Sequence, residues 1–159
     1  MEHATAILAR QAAIDALLRY VDGLDRADEA QLESAFTEDA TLDLSALSSL
    51  GKTFGAIHGL DSISAVCMAA VGKALETTHS LTNILVKLND ENDNAIVTCY
   101  CEAQHIKQGQ AFASDSQDNS LLVKSRYSAS VSKKGSTWRI ERLDIVPLWS
   151  KGNSSVLEQ

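Results

Sequence analysis

The sequence predicts a single α+β domain, and three observations carry that prediction. Its 159 residues are the length of one domain. Apolar side chains recur at helical spacing through the first half, then in β-like runs from Thr78 onward. No internal repeat and no interdomain linker interrupts the chain. Helices first, then a meander of long antiparallel strands, is the α+β pattern. We place the domain at residues 1–147 and a polar tail at 148–159, polar apart from Leu148, Trp149, Val156 and Leu157.

Residues 4–26 read as one helix, because Ile7, Ile14, Leu17, Leu18, Val21 and Leu24 form an apolar stripe. Gly23 weakens its last turn. A second helix is expected at 28–36 and a short strand at 41–44. Residues 45–59, rich in Ser and Gly, read as a loop. Asp61 or Ser62 is placed to cap a third helix reaching about Leu75. Four strands follow, at 78–88, 95–106, 121–133 and 137–146, rich in Val, Ile, Thr, Tyr and Leu. Residues 89–94 and 133–136 are turns by composition. The polar stretch 107–120 is a connection of a length that is uncommon unless functional or mobile.

Charge excludes several partners. The formal charge is −7, from 14 basic and 21 acidic residues. Nucleic acid needs a cationic face, and an anionic membrane surface attracts basic segments, so neither is expected. No apolar run approaches the length of a membrane span, and the N-terminus has no basic region of a signal peptide. Cys67, Cys99 and Cys101 do not form a CxxC motif, and they read as free buried thiols, which suits a cytoplasmic location. Gly51-Lys52-Thr53 lacks the first glycine of a phosphate-binding loop, Ala46 standing in its place. Asn153-Ser154-Ser155 is a formal glycosylation sequon without a secretion signal, and His58 reads as structural.

Chemistry is expected where polar residues break an apolar pattern. Asp25 follows Ile14, Leu18 and Val21 at helical spacing, which puts a carboxylate on the apolar stripe. Two readings are open: a buried, partnered carboxylate, or a helix-end cap reaching water. Folding 78–88 against 95–106 about Asn92 pairs Leu88 with Ile96, Leu85 with Cys99 and His79 with His105. The two histidines then share a face. They stand either as ordinary strand residues or, with Asp25, as an acid–base set. A carboxylate on one imidazole nitrogen fixes the tautomer and makes the other nitrogen a better base. The reaction class this suits is proton abstraction beside an activating group, leading to β-elimination or double-bond isomerisation without a cofactor. The same three residues could instead form a two-His-one-carboxylate iron site.

Several segments, taken together, resemble the SnoaL-like branch of the nuclear transport factor 2-like superfamily. They are Arg19 to Asp28, Phe36 to Ala40, Thr78 to Asn83, Gln104-His105 and Trp138 to Ile140. The resemblance covers about residues 5–147. It implies a cone-shaped, curved antiparallel sheet wrapped around N-terminal helices, with an internal pocket. The patterns are similar to scytalone dehydratase and hexachlorocyclohexane dehydrochlorinase. Both use an Asp at the end of the first helix and a His opening a long strand, matched here by Asp25 and His79. A second pocket His matches His105. Two pocket tyrosines of the dehydratase fall at Leu24 and Leu44 here.

The expected function is therefore a cofactor- and metal-free lyase or isomerase acting on a hydrophobic, cyclic small molecule, such as a polyketide or terpenoid intermediate. His79 is the candidate base, Asp25 its orienting partner and His105 the acid or electrophile. Candidate substrate-binding residues are Tyr20, Phe36, Leu44, Phe54, Val66, Met68, Leu81, Asn83, Tyr127 and Trp149. The 107–120 connection and the tail are candidates to cover the pocket mouth. A homodimer or homotrimer is what the resemblance implies. The alternative is a non-catalytic binding or assembly module of the same fold.

Overall fold

A computed structural model describes residues 2–51, 54–113 and 118–158. The middle of the 107–120 connection and part of the Gly51-Lys52-Thr53 motif lie outside them.

Helix α1 spans Glu2–Asp25. The stripe it buries is not the expected one. Ala9, Ala13, Ala16, Leu17, Tyr20, Val21 and Leu24 are buried, whereas Ile7 is 66% and Leu18 40% exposed. Three alanines at helical spacing let the helix lie close to the sheet, and that close packing outweighs burial of the larger Ile7 and Leu18. Arg19 fixes the helix to its neighbours by donating to the Ser34 carbonyl and hydroxyl and to the Trp138 carbonyl.

Helix α2, Glu29–Ser34, is capped by Asp28, whose carboxylate accepts from the Gln31 amide at 3.0 Å. Gly23 has a reason beyond a weak turn: a Cβ there would lie 2.6 Å from the Leu32 nitrogen. The two helices cross at a contact that only hydrogen fits. Strand β1, Phe36–Asp43, starts earlier than expected. The 45–59 loop holds a 3-10 turn, Ser45–Leu50, and a short strand β2, Ala56–His58. Helix α3, Leu60–Cys67, takes its cap from Gly59 rather than Asp61 or Ser62, and ends in a π-helical turn, Met68–Gly72.

The remaining strands are β3 (Leu75–Leu88), β4 (Asn94–Lys107), β5 (Ser120–Lys134) and β6 (Thr137–Gly152). One curved six-stranded sheet has the order β2-β1-β6-β5-β4-β3. Neighbours are antiparallel except β1 and β6, which run parallel. The helices pack on its concave side, where the main core lies.

Residues 148–152 do not leave the domain. Strand β6 continues through Pro147, which sits beside a register shift where proline is tolerated. A final 3-10 turn, Ser154–Leu157, then buries Val156 against Leu75, Leu121 and Val123.

The hairpin register also differs from expectation. Near the turn Leu88 pairs with Ala95 and Leu85 with Thr98. Asn83, at φ 53°, opens a β-bulge in which Asn83 and Ile84 oppose Cys99 alone. Beyond it His79 pairs with Ala103 and His105 with Thr77. The inward face of β3 accordingly passes from Ile84, Val86 and Leu88 to Leu81, His79 and Thr77. The bulge absorbs the extra residue, so both histidines still face the concave side.

Candidate active site

Inside the cone lies a cavity of about 350 Å³. This is within the range of small-molecule sites. Its wall is mostly apolar, with Leu24, Leu44, Leu47, Phe54, Ile57, Val66 and Val71 among its residues. The polar part is small: His79, His105, Ser125 and the rings of Tyr20 and Tyr127. Among the described residues no lysine or arginine lines it.

Asp25 ends α1 behind His79, and its contacts settle the choice between core partner and cap. The Nδ1 of His79 lies 2.6 Å from Oδ1 of Asp25. The His79 backbone amide donates to Oδ2 at 2.8 Å, and the Thr77 hydroxyl donates to Oδ1 at 2.8 Å. Asp25 thus receives three hydrogen bonds from β3. Burial alone would raise its pKa, but the His79 ring, the His79 amide and Thr77 outweigh burial and hold the carboxyl below its usual range. The carboxylate therefore stays ionised and accepts the Nδ1 proton of His79. That leaves Nε2 as the free nitrogen of a side chain only 4% exposed.

His105 stands edge-on to His79, with ring centroids 5.7 Å apart. Its Nδ1 lies 3.3 Å from the Leu121 carbonyl, which can only accept. Nδ1 therefore carries the proton, and Nε2 presents a lone pair. Burial, and then the facing His79, push the His105 pKa down to about 4. This favours the neutral form of His105, with Nε2 as an acceptor.

The two cavity phenols are fully buried. Tyr20 donates to Cys67, and Tyr127 donates to Cys101. Burial, followed by the nearby thiols, raises both phenol pKa values well above the ordinary range. Burial also pushes Cys67 and Cys99 up to about 12 and Cys101 to about 11, which keeps all three as protonated thiols at neutral pH.

Of the expected site residues, Tyr20, Leu44, Phe54, Val66, Tyr127, His79 and His105 line the cavity, and Asp25 backs it. Five do not line it. Phe36 is fully buried beneath Tyr20, whose ring meets it edge-on at 5.3 Å. Met68 is buried against Gly72 in the π turn. Leu81 packs against the core. Asn83 is exposed at the bulge, and Trp149 is 50% exposed on β6. Ser125, Ala103, Ile145 and Leu157 were not anticipated. Ser125 had a signal: it is the polar interruption in the inward series Leu121, Val123, Tyr127, Ala129 and Val131.

Both oxygens of Asp25 are committed to β3, so Asp25 does not join the two histidines as a facial ligand set. Among the described residues no three His, Cys, Asp or Glu side chains are grouped to hold a metal ion. Nor, among them, is any helix long and apolar enough to cross a membrane.

A curved sheet enclosing an apolar chamber, with a carboxylate–imidazole pair in its wall, defines a pocket protein of the nuclear transport factor 2-like class. The chain belongs to the family of the SnoaL-like domain, whose model it matches over residues 5–144. It is 31% identical over 153 residues to "Terrestric acid biosynthesis cluster protein E" of Penicillium crustosum, covering 95% of this chain and 90% of that one. Among solved structures it is similar to the protein Kfla4162 of Kribbella flavida. That match has a TM-score of 0.81, 20% identity, and coverage of 97% of this chain and 99% of the other. A hexachlorocyclohexane dehydrochlorinase, LinA-type3 of Novosphingobium barchaimii, aligns with a TM-score of 0.75 at 15% identity, over 94% and 93% of the two chains.

Proposed function

We propose that this protein is a biosynthetic lyase or isomerase that needs no cofactor and acts on an uncharged, cyclic, hydrophobic small molecule. The observation that carries the proposal is the Asp25–His79 pair, 2.6 Å apart, on the wall of an apolar cavity. Asp25 holds His79 in the tautomer whose Nε2 can accept a proton, and stabilises the imidazolium that results. Among the described residues no cation lines the cavity to match an anionic substrate.

In the elimination reading, Nε2 of His79 removes a proton from the carbon beside a carbonyl. The electron pair passes to the carbonyl oxygen, then returns to expel a β-hydroxyl. That hydroxyl takes the proton from His79 and leaves as water. His105, as a neutral acceptor, orients the hydroxyl through Nε2 beforehand. Returning the proton to another carbon instead gives isomerisation. The Penicillium relative's place in a biosynthesis cluster supports a biosynthetic setting. The binding-module reading calls for a distant His79 and Asp25 or a filled cavity, and the geometry does not favour it.

The test is turnover of a panel of cyclic β-hydroxyketones, followed by enone absorbance. His79→Ala is expected to abolish turnover with an unchanged circular dichroism spectrum. Asp25→Asn is expected to cost at least about 100-fold in kcat. An undiminished rate in His79→Ala refutes the base assignment.

A further inference from the structure

Proton abstraction beside a carbonyl develops negative charge on oxygen, and the site must meet it with a donor. The cavity offers few. Among the described residues no lysine or arginine lines it. His105 cannot serve, because its only N–H points at the Leu121 carbonyl. The N–H of His79 is held by Asp25. Among its lining side chains this leaves hydroxyls alone as oxygen-directed donors: Tyr20, Tyr127 and Ser125.

We propose that Tyr20 and Tyr127 together form the oxyanion-binding pole of the site, their hydroxyls converging on the carbonyl oxygen of the substrate. The two come from different elements, α1 and β5, yet both line the same cavity as His79 and His105. Each donates to sulfur, a weak acceptor. A carbonyl oxygen replaces sulfur at little cost, and an enolate oxygen is a far better acceptor than either. Burial keeps both phenols protonated at neutral pH, as donors require. A phenol is also more acidic than the Ser125 alcohol, and so gives the stronger bond to developing charge. The protons stay on the phenols throughout: the enolate is bonded by them, not protonated.

The inference rests on the proposed function for its reaction, so its test separates the two. The probe is 2-tetralone, with its carbonyl infrared stretch read in the bound state. In the wild type the stretch is expected at lower frequency than in an apolar solvent. Tyr20→Phe and Tyr127→Phe should each remove part of that displacement and, on the cyclic β-hydroxyketones, lower kcat about 100-fold with little change in KM. His79→Ala should keep the infrared displacement while losing turnover. If His79→Ala stays active, the base assignment falls and the phenol pole stands on the infrared arm. An undisplaced stretch in the wild type overturns the inference. So does a full displacement and rate in both phenylalanine variants, or a loss confined to Ser125→Ala.

Discussion

Replacing His105 by Gln tests its buried, neutral state directly. An unfolded histidine takes a proton near pH 6.5, whereas folded His105 does so only near pH 4. Between these values the unfolded chain binds more protons than the native one. The stabilisation is therefore complete above about pH 6.5 and is lost as pH falls toward 4. Integrated over that window, the gap is worth about 3 kcal/mol. His105→Gln, which does not titrate there, should lack this loss. Urea unfolding of both proteins at half-unit steps from pH 7.5 to 4 reads the difference. Wild type should fall by about 3 kcal/mol relative to the variant. Asp25 does not confuse the window. Its carboxyl is held below the usual range, so its contribution persists above about pH 3.8 and fades only under stronger acid. Parallel curves for the two proteins would mean that His105 titrates normally, and the acceptor role of Nε2 would lose its basis.

Two further outcomes follow from packing. Gly23→Ala would ordinarily favour a helix by about 1 kcal/mol. Here the new Cβ meets the Leu32 backbone at 2.6 Å, so a loss of about 1–3 kcal/mol is expected instead, read as a lower Tm. A raised Tm would show that α2 can withdraw. Cys67, Cys99 and Cys101 should resist a thiol reagent at pH 8 in the native protein and react fully in guanidinium, because burial holds all three as thiols. Rapid labelling of native protein would contradict their burial.

The order of elements and the Asp25–His79 pair were legible in the sequence because both follow from local periodicity and from a known spacing. The face of α1 was not. A stripe drawn through Ile7 and Leu18 looks stronger than one through Ala9, Ala13 and Ala16, yet alanines permit the closer approach. The hairpin register was missed for a different reason. Turn composition gave one continuous ladder, whereas the apolar phase slips between Leu81 and Ile84, a written sign of the Asn83 bulge. His105 still faced the right way because the observed partners lie two positions from the expected ones, and an even shift preserves the face. The pocket walls were legible at Leu44, Phe54, Val66 and Tyr127, but Phe36, Met68, Leu81, Asn83 and Trp149 point elsewhere, and the parts of the wall at 45–57 and 153–157 that fold back, Leu47, Ile57 and Leu157, carried no signal. No short-range rule says which apolar residue of an irregular segment turns inward.

The parallel seam between β1 and β6 bears on how the molecule assembles. Apart from the three-residue β2, β1 has no neighbour until β6 arrives from the far end of the sequence. On an elongating ribosome, Phe36–Asp43 must wait with an unpaired edge while the β3–β5 meander is made. Such long-range pairing is slow and leaves sticky intermediates. Asp25 and His79 belong to elements made before β6, α1 and β3, and can meet first. The chamber around them closes only when the final strand docks, so nascent chains stalled before residue 137 should hold the Asp25–His79 pair without an enclosed chamber.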